Sequence, residues 1–78
     1  SHYNAAQLNV SLDHKKRNLY IGFDQLEDFK YLESVGLYLR RFSGLDIICT
    51  LAQNANVHTY SLFFARLGLV PFKFSYTD

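Results

Sequence analysis

Four residues near position 56 have the types that hold an anion: Asn54, Asn56, His58 and Thr59. They fall where a polar stretch, AQNANVHT at 52–59, gives way to an apolar helical pattern. A helix start presents unpaired amides, and amide, imidazole and hydroxyl side chains beside it add further donors. The plainer use for the same residues is as caps in a solvated loop. Cys49, His58 and Asp46 supply the types of a thiol nucleophile, its base and an orienting acid. Cys49 alternates with Leu45, Ile47 and Leu51, however, which reads as a buried thiol rather than an attacking one. Cys49, His14 and His58 have no zinc-ligand spacing. Gly22, Gly36, Gly44 and Gly68 are too far apart for a phosphate-cradling loop. Asp24, Glu27 and Asp28 are explained by helix capping better than by paired acid/base chemistry. The sequence thus assigns no catalytic residue, no metal and no cofactor.

Surface chemistry gives two further candidates. Basic residues gather at His14, Lys15, Lys16 and Arg17 and again at Arg40 and Arg41. Phosphate contact is one use for them, but the net charge of +1 makes a small electrostatic footprint. A charged hairpin tip is the plainer use for the first cluster. The other candidate is aromatic. Tyr31 and Tyr38, seven apart, share a helix face away from the main apolar stripe. Phe72, Phe74 and Tyr76 crowd the last strand. Both sets fit a protein interface, and the tyrosines fit equally well beneath a covering loop.

The elements that position these residues follow from periodicity. LNVSLD at 8–13 and NLYIGF at 18–23 alternate, with Leu8, Val10 and Leu12 on one face and Leu19, Ile21 and Phe23 on the matching one. HKKR between them makes a hairpin. The stretch 24–44 is the longest amphipathic segment. Leu26, Phe29, Leu32, Val35, Leu39 and Phe42 make one stripe, Asp24 with Glu27 resembles a capping box, and Ser43-Gly44 offers a stop. LDIICTL at 45–51 is apolar on both faces, which predicts an interior strand. A helix before it allows a right-handed crossover and parallel pairing. Tyr60, Phe63, Phe64 and Leu67 mark a second helix that Gly68 ends. VPFKFSY at 70–76 is the last strand, with Pro71 placing it at an edge. Residues 1–7 carry little periodic signal. The reading is an α+β domain, ββαβαβ, with a four-strand mixed sheet and two helices packed mainly on one face. Seventy-eight residues imply a single small domain over 1–78. Ser1-His2 resembles a tag-cleavage remnant, so a fragment of a longer chain is one reading. With no long apolar span, the expected setting is cytoplasmic, without a membrane.

The segment 45–74, above all NANVHTYSLFFARLGLVPFKF, resembles the C-terminal part of the GCN5-related N-acetyltransferase family. That family runs from a strand through an asparagine-bearing loop to a short helix ending in a phrase like FYxxLGF, here FFARLGL. The resemblance implies acyl-CoA held by a glycine-rich loop at a helix start, and a tyrosine that protonates the departing thiolate. Here Phe23-Asp24-Gln25 stands at that loop and Phe64 at that tyrosine, with Tyr60 one turn earlier.

Three functions follow as expectations. The favoured one is a non-catalytic protein-interaction or homo-oligomerisation module, its partner another protein or a second copy. The alternatives are an acyl-CoA-binding or acetyltransferase-like domain completed by a partner, using Asn54, Asn56, His58 and Thr59, and a weak nucleic-acid binder using Lys15, Lys16, Arg17, Arg40 and Arg41.

Overall fold

The structure is a computed structural model that describes the backbone of residues 2–5, 8–39 and 44–77 and the side chains of 9–34 and 44–77. Its elements are β1 (His2–Ala5), β2 (Leu8–Asp13), β3 (Asn18–Phe23), α1 (Phe29–Leu39), β4 (Asp46–Leu51), α2 (Val57–Arg66) and β5 (Lys73–Tyr76). The ββαβαβ order, the mixed sheet and the two helices on one face are those the sequence implies. A further strand, β1, precedes them and widens the sheet to five, in the order β1-β2-β3-β4-β5. The first three strands are antiparallel, and β3, β4 and β5 are parallel. Each parallel step is bridged by one helix, as parallel pairing requires.

The β2–β3 hairpin closes through local chemistry. The Asp13 carboxylate accepts from the backbone N–H groups of Lys15 and Lys16, each at 3.1 Å. Arg17 completes the turn in the left-handed region, with φ +55°. Its carbonyl accepts from the Asp46 N–H at 2.9 Å, so the tip is tied to the start of β4. Gly44, with φ +83°, brings the chain past the Arg17 guanidinium, to which a Cβ would approach within 3.3 Å. The stop at Gly44 is therefore a close approach as well as a left-handed turn.

The entry to α1 differs from the expected cap. A 3-10 turn, Leu26–Asp28, comes first, and Gln25 rather than Asp24 precedes it. Asp28, not Glu27, reaches back: its carboxylate accepts from the Gln25 N–H at 3.2 Å. Asp28 is consequently 2% exposed, whereas Glu27 lies in solvent. Leu26 sits in this tighter turn and leaves the helical stripe, remaining 44% exposed. Phe29 and Leu32 are buried as the stripe predicts. Val35, Leu39 and Phe42 lie outside the described side chains.

The core forms between the sheet and both helices. It joins Val10, Leu19, Ile21, Phe23, Ile47, Cys49 and Leu51 from the strands with Phe29, Leu32, Tyr60 and Phe64 from the helices. Both ends of α2 are well closed. Asn56 caps it by accepting from the N–H groups of His58 (3.0 Å) and Thr59 (3.4 Å). At its far end Gly68, φ +71°, lets its own N–H reach the Ala65 carbonyl at 3.0 Å and the Leu69 N–H reach that of Phe64 at 3.1 Å. This is a Schellman closure, and Leu69 packs against the core beyond it. Replacing the first cap, Asn56→Ala, is expected to cost about 1 kcal/mol. In a domain this small that lowers Tm by roughly 4–8 °C, read by thermal denaturation. An unchanged Tm would mean that water satisfies those amides as well as Asn56 does.

Candidate functional site

The chain after α2 is built by the Schellman closure. Leu69 is drawn inward, so the next residue is driven out, and Val70 is 88% exposed. Pro71 has no N–H to offer a ladder. Phe72 starts the pairing by donating to the Ile47 carbonyl at 2.8 Å, yet it is itself 70% exposed. The regular strand then runs only from Lys73 to Tyr76, shorter than the 70–76 that alternation suggests. Pro71 and the outward turn of Val70 account for the loss.

Within β5 the side chains divide between two faces. Phe74 is half-buried on the helix side, with its ring edge-on to Phe64 at 6.1 Å. Tyr76 lies on the same face, 45% exposed, and its hydroxyl donates to the Ala55 carbonyl at 3.1 Å. Ser75 lies on the other face and its hydroxyl donates to the Cys49 carbonyl at 3.4 Å. The backbone alternates too. Thr77 N–H donates inward to the Leu51 carbonyl at 2.8 Å, and the register pairs Leu51 with Tyr76 and Thr50 with Ser75. Lys73, Ser75 and Thr77 thus turn their backbone groups toward β4, and Phe74 and Tyr76 turn theirs away from it. Among the described residues no strand pairs with that outer edge.

Depressions among the described residues lie elsewhere. An open groove of about 400 Å³ runs between the start of α1 and the far half of α2. Leu26, Phe29, Phe63 and Leu67 line its apolar part, and charged residues of both signs surround it. Arg66 there sits over the Phe63 ring at 5.3 Å. Another, about 260 Å³, is a dip in the uncovered sheet face around Gly22 and Tyr20.

The remaining candidates from the sequence are dispersed. Asn54 and His58 are exposed, Thr59 is half-buried, and the side-chain oxygen of Asn56 occupies the amides that an anion would use. At the start of α1 the Asp28 carboxylate accepts from the Gln25 N–H. Lys15, Lys16 and Arg17 are exposed at the hairpin tip, with Arg17 beside Gly44. Arg40 and Arg41 lie outside the described residues, as does the Tyr38 side chain. Tyr31 is half-buried, with the Lys30 ammonium 5.3 Å from its ring. Cys49 is fully buried, and desolvation pushes its thiol up to about 12. Burial raises the Tyr60 phenol as well, with the negative charges of Asp28 and then Glu27 adding to the effect. Neither group is ionised near neutral pH.

Among the described residues no three or more His, Cys, Asp or Glu side chains gather where they could hold a metal ion. None of the described helices is long and apolar enough to cross a membrane. Val70 is absent from the sequence-derived candidates, since strand alternation over 70–76 puts it on the same face as Phe74. The signal was the pair Leu69-Val70 after a left-handed glycine, since two adjacent apolar residues cannot both face one core. The chain matches no family model, no curated protein and no solved structure.

Proposed function

We propose that the chain is a non-catalytic protein-interaction module that docks an extended segment along the outer edge of β5. The observation that carries this reading is the open backbone edge of one short strand with exposed apolar side chains in the residues that lead into it. An unpaired edge is a template for another strand. Main-chain hydrogen bonds supply the affinity in such pairing and flanking side chains the selectivity. Val70 and Phe72 stand beside the edge with most of their surface in water. Covering each contributes about 1.5–3 kcal/mol. Lys73 points to the uncovered sheet face and leaves the helix-side face of the edge apolar.

Amide hydrogen exchange tests the reading. The Phe74 and Tyr76 amides are expected to exchange freely in dilute protein. They should become protected as protein concentration rises, or when an extended peptide selected from a random library is bound. The double substitution Val70→Ser with Phe72→Ser is expected to weaken protection by the bound peptide at least about tenfold, the equivalent of 1.4 kcal/mol. Its Tm should hardly move, because both side chains are exposed in the folded domain. If the two amides stay unprotected at every concentration and with every selected peptide, the edge is not a docking site.

A further inference from the structure

We infer that the segment docked on β5 is β5 of a second copy, paired antiparallel about a two-fold axis through Ser75. The inference rests on the docking role just proposed and names its partner. Only Phe74 and Tyr76 turn their backbone N–H and C=O groups outward from the described strand. An antiparallel pair exchanges two hydrogen bonds wherever two outward-facing residues stand opposite each other. One register sets Phe74 of each copy opposite Tyr76 of the other, and it alone employs every outward group of both strands. It gives four backbone bonds. Centring on Phe74 instead would bring up position 72, whose N–H is already committed to the Ile47 carbonyl.

The side chains agree with that register. Facing residues across an antiparallel pair lie on one side of the sheet. Phe74 and Tyr76 share the helix side, so each cross-strand pair is aromatic on aromatic. Tyr76 is already held in place by its bond to the Ala55 carbonyl, which lowers the ordering cost of the contact. On the uncovered face Ser75 meets Ser75 at the axis, two small side chains that do not clash. Lys73 falls opposite Thr77 of the partner, so the like charges of the two copies stand at opposite ends of the ribbon. A two-fold pairing also closes on itself, and it joins the two five-stranded sheets into one without leaving a β5 edge open.

Cysteine cross-linking reads the register directly. Facing residues that do not exchange hydrogen bonds have Cα atoms about 4.5 Å apart, within disulfide reach. Ser75→Cys is therefore expected to form a disulfide-linked dimer under mild oxidation, doubling the mass from 9.1 kDa. Phe74→Cys is expected not to cross-link to itself. Lys73→Cys mixed with Thr77→Cys should give the hetero-linked dimer, and this second pair keeps the test open if Ser75→Cys fails to fold. Cys49 is buried and leaves the assay clear. Sedimentation of the unsubstituted protein should show the same doubled mass without oxidation.

Cross-linking through Phe74→Cys in place of Ser75→Cys overturns the register. A protein that stays monomeric, yet whose Phe74 and Tyr76 amides are protected by an extended peptide, overturns the inference and leaves the docking role standing. A monomer with no such protection overturns both.

Discussion

Phe23→Ala is expected to leave the domain largely unfolded at room temperature. Phe23 ends β3 and is 1% exposed. Its ring stacks on Phe29 with centroids 5.8 Å apart and 13° between planes. It also meets Tyr60 at 5.0 Å and stands edge-on to Phe64 at 6.1 Å. One side chain of the sheet therefore joins the first turn of α1 to two successive turns of α2. Truncating such a ring costs about 3–5 kcal/mol, because neighbours fixed by the backbone cannot close the space. A domain of this length has a stability near the low end of the usual range of about 5–15 kcal/mol. The loss thus approaches the whole. Urea titration followed by circular dichroism measures it, with Phe23→Leu, which keeps most of the volume, expected to remain folded at reduced midpoint. An unfolding free energy for Phe23→Ala within about 1.5 kcal/mol of the parent would show that the helices hold each other without the shared ring.

The same ring explains why so much of the fold is legible in the sequence. Alternation in 8–13 and 18–23 places Val10, Leu19, Ile21 and Phe23 on one face, and helical spacing places Phe29, Leu32, Tyr60 and Phe64 opposite them. Each pattern is satisfied by burial against the other. The doubly apolar run at 45–51 correctly implies a strand with neighbours on both sides. What escapes is whatever backbone pairing or local sterics decide. HYNA in β1 alternates only through Tyr3 and Ala5, too short and too weakly apolar a run to mark a strand, and its place is set by pairing with β2, with Tyr3 opposite Val10. The entry to α1 offered two acidic residues able to reach back. Asp28 does so because the 3-10 turn carries Glu27 into solvent. The site was half legible. Phe72 and Tyr76 were visible as an aromatic strand at an edge. The direction of each backbone group, on which docking depends, follows from the Leu51–Thr77 bond and has no trace in side-chain type.

Above pH 9 the domain is expected to lose stability steeply, and the origin is Cys49. Its thiol has the ordinary value of 9.0 when unfolded and is pushed up to about 12 by burial in the core. Below pH 9 both states carry the proton and the thiol has no effect on the pH dependence. Between 9 and 12 the unfolded chain releases its proton while the folded one keeps it. Folding then binds a proton, and stability falls by about 1.4 kcal/mol per pH unit, on the order of 4 kcal/mol over the interval. Tyr60, whose phenol is also raised, acts in the same direction. Cys49→Ala separates the two. At pH 7 it is less stable than the parent, since it leaves a space in a packed interior. As pH rises its deficit should shrink, because it lacks the titrating thiol, and near pH 11 the order should reverse. Parallel stability curves for the two proteins across pH 8–11 would mean that Cys49 reaches solvent in the folded state. Thiol labelling gives an independent reading: modification at pH 8 should proceed only as fast as the core opens, slowing in step with added stability rather than following the reagent's rate with free cysteine.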